Sequence, residues 1–400
     1  MWKALSIVLL AAVAHATDSR PKVRAVTAFV RIDANGYASQ LDDAMRFLNK
    51  ARDEYRKAGF DVEGVRIVTQ PFTVYTAGMS TPDALALLRK IDEMAKKLDF
   101  RPNIGTAMTD DGDYGPSLDL LAQALATTDL NASLSIAGED GIHWRSVRAA
   151  ARLIRKVADT SPHGRGNLNF AAAAMIKPFT PFYPAAWHTG QGKSFAVGLE
   201  GANVVTDVFA RYREPRDAEK QLANALARHL KDAEAVATKI AAASGWTYAG
   251  IDPTPAPLGD VSIGRAIENF IGAPFGSAGT MTAARIITAA VQAAPVKHTG
   301  YSGLMVPVLE DNVLAKRWAE GTYNIDSLLS YSSVCATGLD TVPLPGSITE
   351  DQIARILGDV ASLAYKWRKP LAARLLPVPG GKPGDTTDFG DPRMTNTKIR

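Results

Sequence analysis

The chain has 400 residues, of which 46% are apolar and 22% charged, with 45 basic and 41 acidic side chains and a single cysteine. This composition excludes a collagen, a disordered tail, a disulfide-rich scaffold and a polytopic membrane protein, and it supplies enough apolar residues for a large core. The formal net charge is only +4 and the basic residues are scattered. Nucleic-acid binding needs a concentrated basic surface, so we expect no nucleic-acid partner.

The first residues have the three parts of a secretory signal peptide. A cationic start, Met1-Trp2-Lys3, precedes an apolar stretch from Ala4 to Ala14, and Ala14-His15-Ala16 matches a small-x-small cleavage site. An uncleaved anchor is less favoured, because about 11 apolar residues fall short of the roughly 20 that span a bilayer. We therefore predict a signal peptide over residues 1–16, export to the periplasm or the extracellular space, no membrane span, and one domain over residues 17–400.

Cys335 is the only cysteine. A single cysteine in an exported chain forms no internal disulfide, so it is buried, paired with another chain, or reactive. Burial is the commonest outcome, and a redox role would require an exposed thiol of low pKa.

Apolar runs alternate with amphipathic helical patterns along most of the chain. Runs of β-branched and apolar residues predict strands at 23–32, 62–72, 103–108, 132–136, 167–176, 194–199 and 371–377. Apolar residues at 3.6-residue spacing predict helices at 37–58, 80–98, from 117, and at 144–158, 217–243, 263–271, 280–294, 311–320 and 348–368. This alternation predicts an α/β fold with a parallel sheet, either closed as a single large barrel or doubly wound.

Standard catalytic fingerprints are missing. The sequence has no Gly-x-Ser-x-Gly elbow, Walker loop or His-Glu-x-x-His helix, and no glycine-rich dinucleotide motif follows the first strand. The six histidines are too widely spaced for a local zinc site.

Five loops rich in glycine, proline and single polar residues follow predicted strands, where ligand-binding residues concentrate in parallel sheets and barrels. The first, residues 181–190, contains His188, which the pattern allows equally as an acid–base group or as a buried structural histidine. The second, residues 250–268, contains two aspartates eight residues apart, which could bind a hard cation or cap a helix. The third, residues 275–280, enters a helix as an anion-binding turn or an ordinary cap.

The last two loops carry further polar residues. Glu310 and Asp311 follow an apolar run, residues 301–309, that we predict as a strand. Cys335 and Asp340 lie in a predicted turn over residues 332–340.

Several ordered blocks in the second half resemble one family. They are Asp252-Pro-Thr-Pro-Ala-Pro, Ser302-Gly303-x-x-x-Pro-Val-x-Glu310-Asp311 and Cys335-x-x-Gly338-Leu339-Asp340. Across about residues 165 to 390 the chain resembles the domain of unknown function 711 family. That resemblance implies a ten-stranded α/β barrel similar to pyruvate formate-lyase, and it places Cys335 in the finger-loop region where radical enzymes keep a thiyl cysteine. Residues 386–393 have no glycyl-radical consensus, so we do not expect radical catalysis.

We therefore predict an exported non-radical enzyme of lyase or hydrolase type that transfers protons on a small polar or anionic substrate. A non-catalytic protein that binds a small ligand or a divalent metal is the alternative, and the sequence leaves a homo-oligomer open. The catalytic candidates are His188, Asp252, Glu310 and Cys335. The ligand-binding candidates are Thr254, Ser277, Gly279, Thr280, Ser302, Gly303 and Asp340. The candidate ligands for a divalent cation such as calcium or magnesium are Asp252, Asp260, Glu268 and Asp311.

Overall fold

A computed structural model describes residues 19–106 and 108–400. The predicted signal peptide, residues 1–16, lies outside them. Helices and strands alternate through the first half, in the order β1 (Lys22–Val30), α1 (Tyr37–Lys57), β2 (Val65–Thr69), α2 (Phe72–Tyr75), α3 (Thr81–Leu98), β3 (Arg101–Thr106), α4 (Gly115–Thr127), β4 (Asn131–Gly138), β5 (Gly141–Ile142), α5 (Trp144–Thr160), a 3₁₀ segment (Pro162–Asn169) and β6 (Phe170–Ala174).

The second half contains more helix. It continues with β7 (Ser194–Glu200), α6 (Ala202–Arg211), α7 (Pro215–Ser244), β8 (Thr247–Asp252), α8 (Ile263–Ile271), α9 (Thr280–Gln292), α10 (Asn312–Glu320), α11 (Ile325–Ser332), β9 (Gly338–Leu344), α12 (Glu350–Trp367) and β10 (Leu371–Pro377). In the described part of the chain, no helix combines the length and apolar character needed to cross a bilayer.

All ten strands belong to one sheet, which confirms the α/β class. Their order is β8-β7-β1-β2-β3-β4-β6-β10-β9, with β5 paired to β4. Strands β1, β2, β3, β4 and β6 are parallel, as the helical crossovers require, but β7 runs antiparallel to β1 and β10 antiparallel to β6. The predicted parallel sheet is therefore confirmed for these five strands, whereas the sheet as a whole is mixed. The change of direction arises between β6 and β7, where residues 175–193 form a loop with no crossover helix.

The two faces of the sheet pack differently. Alternation along β1 places Val26, Ala28 and Val30 in the large core shared with the helices. The opposite face carries Phe29 and Val68 beside polar and small side chains. Residues 177–193 pack on it through Phe182 in a second cluster of buried apolar residues and through Ala186 in a third. We call this second face the inner face.

Residues 177–193 are fastened to the inner face by hydrogen bonds from β-strand side chains. Thr27 and Arg66 donate to the carbonyl of Pro181 at 3.4 and 2.9 Å, and Asn103 donates to that of Pro184 at 2.8 Å. The inner face is therefore covered by this loop rather than by helices.

The regular strand pairing ends at β8 and β9, so the hydrogen-bonded ladder itself is not closed. Neither edge strand was predicted. The apolar run at residues 301–309, predicted as a strand, forms only an isolated bridge between Pro307 and Asp340. Tight local packing explains the irregularity, since a Cβ on Gly303 would lie 2.4 Å from that of Ala336.

Candidate anion-binding site

A cluster of charged side chains lies on the inner face, at the amino ends of β1 to β4. Alternation along β2 buries Val65 and Ile67 against the helices, which sends Arg66 to the inner face. Arg24 on β1 and Arg374 on β10 lie on the same face, and Glu310 and Asp340 meet them there. The cluster therefore combines residues from distant parts of the chain.

Arg374 connects two carboxylates. Its Nε lies 2.6 Å from Oδ1 of Asp340 and its Nη2 lies 2.7 Å from Oε1 of Glu310. Burial alone would raise the pKa of Glu310, but the guanidinium groups of Arg374 and Arg24 outweigh it and lower that pKa. For Asp340, burial prevails and raises the pKa. The two carboxyl groups that share Arg374 therefore have pKa values shifted in opposite directions.

Arg24 is shared among three glutamates. Its guanidinium lies 3.0 Å from Glu200, 3.4 Å from Glu310 and 3.9 Å from Glu63. The combined attraction of the three glutamates outweighs burial and raises the pKa of Arg24. Burial raises the pKa of Glu200 despite the contact with Arg24.

Arg66 differs from both, because it forms no ion pair with any carboxylate in residues 19–106 and 108–400. Its side chain donates to the carbonyl of Pro181 and its guanidinium lies 4.7 Å from the ring centroid of Tyr183. The residue is only 8% exposed. Burial, with repulsion from Arg24, lowers the pKa of Arg66 to about 10. Glu63 and Glu310 attract this guanidinium only from beyond ion-pair distance. Burying a cation without a directly paired carboxylate is costly, so Arg66 is suited to bind an anion.

Arg66 borders a cavity of about 70 Å³, which we call the inner cavity. Five arginines and two glutamates line it: Arg24, Arg66, Arg101, Arg374, Arg393, Glu63 and Glu310. Three of these arginines also pair with carboxylates outside the lining, namely Glu200, Asp340 and Asp391. An outer cleft of about 730 Å³ adjoins the inner cavity, and the two share lining residues that include Glu63, Arg101 and Arg393.

The structure brings together two of the residues proposed from sequence, Glu310 and Asp340, and adds three arginines that the sequence reasoning missed. Arg66 and Arg374 are the only charges in largely apolar strands, and Arg24 shares its largely apolar strand only with the terminal Lys22. That signal was present in the sequence, since a charge at such a position must point away from the helices into a polar environment.

His188 is fully buried within the loop that covers the inner face. The N–H of Gly190 donates to its Nδ1 at 3.2 Å, so Nε2 carries the ring proton and donates to the carbonyl of Gln191 at 3.1 Å. Burial lowers its pKa. Both ring nitrogens are thus engaged by the loop backbone, and the ring is kept neutral.

Asp252 is also fully buried and holds a second loop. Its carboxylate accepts from the hydroxyl and N–H of Thr254 and from the N–H groups of Tyr301 and Ser302. The N–H of Gly303 donates to the Thr254 hydroxyl at 3.3 Å. Four residues proposed from sequence therefore do come together: Asp252, Thr254, Ser302 and Gly303. Their hydrogen bonds fasten residues 299–303 to the end of β8.

The four candidate metal ligands do not converge. Asp252 holds the loop just described, whereas Asp311 caps α10 and accepts from the hydroxyl of Ser262. Glu268 pairs with Arg317, and Asp260 accepts from Asn312 at the surface. In the described part of the chain, no three histidine, cysteine or acidic side chains are arranged to hold a metal ion.

Ser277, Gly279 and Thr280 form the turn before α9. The N–H of Gly276 donates to the hydroxyl of Thr280 at 3.1 Å, and the N–H of Ser277 donates to the carbonyl of Pro274 at 3.0 Å. None of the three lines the inner cavity or the outer cleft.

Cys335 lies in the large core on the helix side of the sheet, with 1% exposure. Its burial raises the pKa of the thiol. The family resemblance implied that Cys335 lies in a finger loop inside the barrel. The loop that covers the inner face is formed by residues 177–193 and does not include Cys335.

A separate cavity of about 260 Å³ lies at the carboxyl ends of β3, β4 and β6. Its lining is mostly apolar and includes Met175 and Trp187, with Thr106 and Ser135 as hydroxyl groups and Lys177 at the rim. Because β3 and β4 are parallel, this cavity is at the opposite end of the strands from Arg66.

The fold and the charged cluster define a class: a mixed α/β protein with an arginine-lined cavity on the inner face of one large sheet. The chain matches the family described as "Uncharacterised ACR (DUF711)" over residues 16–392, and it belongs to that family. This confirms the family resemblance seen in the sequence.

Similar proteins occur in archaea and bacteria. A "UPF0210 protein" of Pyrobaculum arsenaticum is 35% identical over 294 residues, which cover 68% of this chain and 62% of the relative. "UPF0210 protein MK1214" of Methanopyrus kandleri is 28% identical over 369 residues, 87% of this chain and 81% of the relative. One from Desulfovibrio desulfuricans is 28% identical over 394 residues, 91% of this chain and 84% of the relative. The matched part thus spans less than two thirds of the Pyrobaculum protein.

Proposed function

We propose that this protein binds a small anionic substrate at Arg66 and acts on it as a non-radical enzyme that transfers protons. The observation that carries the proposal is Arg66 itself, a buried guanidinium that forms no ion pair with the described residues and borders a cavity lined by five arginines. Guanidinium groups bind carboxylates and phosphates with paired hydrogen bonds, so an acid group would pair with Arg66 directly.

Asp340 is the candidate proton carrier. It lines a small cavity that adjoins Arg374 and Tyr301, and burial raises its pKa, whereas neighbouring arginines keep Glu310 ionised. Arg374, which holds Asp340, also lines the inner cavity. A carboxyl group with a raised pKa is the type of group that serves as a general acid or base. A lyase or a hydrolase would use such a group.

Sulfate binding tests the anion site. Isothermal titration calorimetry on the full chain should detect sulfate, and Arg66→Gln should weaken its binding by about tenfold or more, as expected for a lost charge-assisted hydrogen bond. Arg285→Gln is the matched control, because Arg285 is half exposed on α9 and pairs with Glu219. Equal sulfate binding by the wild type and Arg66→Gln would overturn the proposal.

A second measurement separates an enzyme from a non-catalytic binding protein. Small hydroxy acids and acid esters are screened for elimination or hydrolysis, and Asp340→Asn is compared with the wild type. Turnover that is lost in Asp340→Asn, with substrate binding retained, supports the enzyme. Turnover that survives this substitution removes Asp340 from the mechanism.

We further propose that the sheet closes as a barrel, with residues 297–309 between the edge strands. Support comes from hydrogen bonds on both sides of this segment: Ile251 N–H to the Lys297 carbonyl at 2.8 Å, and Val308 N–H to the Asp340 carbonyl at 3.0 Å. Amide hydrogen exchange tests the closure. Protection of Ile251 and Val308 equal to that of β1 supports a barrel, and rapid exchange at both contradicts it.

Export is the remaining proposal, and the composition of residues 1–16 supports it. The full chain is expressed in a bacterium, the cells are fractionated, and the N-terminus is sequenced. Mature protein that starts at Thr17 outside the cytoplasm supports export. Intact chain that retains Met1 in the cytoplasm overturns it.

A further inference from the structure

The cavity of about 260 Å³ at the carboxyl ends of β3, β4 and β6 differs in character from the site at Arg66. We call it the carboxyl-end cavity. These three strands are parallel, and in parallel sheets and barrels ligands bind at the carboxyl ends of the strands. The carboxyl-end cavity therefore occupies the position where this type of fold most often holds a ligand.

Small side chains on β4 and β6 leave the space open. Alternation along β4 sends Leu134 and Ile136 to the helix side, so Ser135 points to the inner face. Ser135 lines the cavity together with Ala137 and, on β6, Ala173. A larger side chain at one of these positions would fill the cavity.

The loop that covers the inner face supplies the opposite wall, and hydrogen bonds hold this wall in place. Trp187 lines the cavity, and its Nε1 donates to the carbonyl of Ile176 at 3.0 Å. The N–H of Phe179 donates to the carbonyl of Trp187 at 3.0 Å, and that of Met175 to the carbonyl of Ala137 at 2.8 Å. The indole N–H is thus engaged within the protein, and the ring remains as an apolar contact surface.

Met175 also adopts an unusual backbone conformation, with a φ of 57°. A residue other than glycine rarely takes this left-handed conformation, and such strain is concentrated at ligand-binding and catalytic sites.

The charges of the cavity lie at its rim. Among the described residues that line it, the charged side chains are Glu139 and Lys177, one of each sign, and both are exposed. The deeper lining provides apolar contacts and the hydroxyl groups of Thr106 and Ser135. A charged group placed there would lose its hydration without gaining a counter-ion. The cavity is therefore suited to an uncharged ligand.

The volume sets the size of that ligand. An apolar cavity of about 150 Å³ already admits benzene, so about 260 Å³ holds one ring with a short substituent. We propose that the carboxyl-end cavity is a second binding site, for an uncharged molecule with a single ring and a hydroxyl group. The ring packs against Trp187 and Met175, and the hydroxyl group meets those of Thr106 and Ser135. This site is separate from the proposed anion site, because no described residue lines both this cavity and the inner cavity.

Benzyl alcohol is the probe, and ligand-observed NMR on the full chain measures its binding. Benzoate and benzylamine have the same ring with a negative and a positive charge at pH 7. Each should displace benzyl alcohol at concentrations at least about tenfold higher than benzyl alcohol itself requires. Displacement reports on this cavity alone, so benzoate bound at Arg66 does not interfere. Charged compounds that displace as well as benzyl alcohol, or a lack of benzyl alcohol binding, would overturn the proposal.

Two variants locate the probe. Ala173→Leu fills the cavity and should abolish benzyl alcohol binding, whereas the same change at the exposed Ala243 of α7 should not. Arg66→Gln should also leave this binding unchanged, although it removes the proposed anion site. Retained binding in Ala173→Leu, with the fold verified by urea denaturation, would overturn the site.

Ser135→Ala tests the hydroxyl contact without adding volume. The Ser135 hydroxyl has only a long contact, 3.4 Å, to the carbonyl of Ala137, so its loss should disturb the fold little. Benzyl alcohol should bind this variant about threefold more weakly or worse, while toluene, which lacks the hydroxyl group, binds as it does to the wild type. An unchanged ratio of the two affinities would contradict the assigned contact, even if Ala173→Leu fails to fold.

Discussion

Arg374 donates from Nη2 to Oε1 of Glu310 across 2.7 Å, although 64 residues separate the two in sequence. The same guanidinium holds Asp340 through Nε. Nearby on the inner face, Arg66 forms no ion pair with any described residue. The two arginines are similarly buried, so their different partners predict different consequences when each is removed.

Arg374→Met should destabilise the protein by about 3–5 kcal/mol, because it leaves the carboxylate of Asp340 buried without its ion-pair partner and leaves Glu310 with Arg24 alone. Arg66→Met should lower the free energy of unfolding by no more than about 1 kcal/mol. The substitution leaves no carboxylate without an ion-pair partner, and it removes a cation that is costly to bury. Urea denaturation at neutral pH measures both free energies of unfolding.

The exposed Arg285→Met should change that free energy by less than either, in keeping with its position at the surface. An Arg66→Met variant as unstable as Arg374→Met would assign Arg66 a structural role. The anion site would then lose its main support.

Most regular elements were predictable from sequence, but the helices α2, α6 and α11 and the strands β5, β8 and β9 were missed. Strands β8 and β9 are the edge strands of the ladder. β9 contains Pro343, and β8 contains Gly250, whose missing Cβ would lie 2.6 Å from the Lys297 carbonyl. Edge strands tolerate proline and glycine, and these residues weaken the usual strand signals.

The candidate site was predictable only in part. Polar residues after apolar runs drew attention to Glu310 and Asp340, which do meet. The arginines that join them come from β1, β2 and β10, and no spacing rule along the sequence relates positions so far apart. The search for polar residues after apolar runs also selected Asp311, whose carboxylate caps α10. Helix caps and ligand sites use the same residue types, so this pattern does not separate them.

Anion binding should strengthen as the pH falls from 7 towards 5. Burial raises the pKa values of Asp340 and Glu200 above their ordinary values of about 3.9 and 4.3, so both begin to take up protons in this direction. Each proton removes a negative charge close to the arginines and leaves the site more positive. Sulfate is the appropriate probe, because it keeps both charges throughout this range.

Asp340→Asn should increase sulfate affinity at pH 7 and flatten the pH dependence, since it removes one of the two titrating groups. Calorimetry at several pH values measures both effects. Sulfate affinity that is constant or falls on acidification would contradict the assigned role of these carboxylates.

Asp252→Asn should act on stability and not on anion binding. The carboxylate accepts from three backbone N–H groups and one hydroxyl, whereas an asparagine places an NH₂ group against some of those donors. We expect a loss of about 1–3 kcal/mol in the free energy of unfolding, faster amide exchange at Tyr301 and Ser302, and unchanged sulfate affinity. The exposed Asp260→Asn is the control, and lost sulfate binding in Asp252→Asn alone would place Asp252 in the site.

Cys335 should be unreactive in the folded protein. Its side chain is 1% exposed, and burial raises the pKa of the thiol although Lys369 lies close enough to donate to the Cys335 carbonyl. Because the thiolate is the nucleophile, iodoacetamide at neutral pH should label folded protein slower than denatured protein by about tenfold or more. Cys335→Ala should also keep the wild-type affinity for sulfate, since the thiol lies on the helix side of the sheet. Rapid labelling that abolishes sulfate binding would instead give this cysteine a direct part in the site.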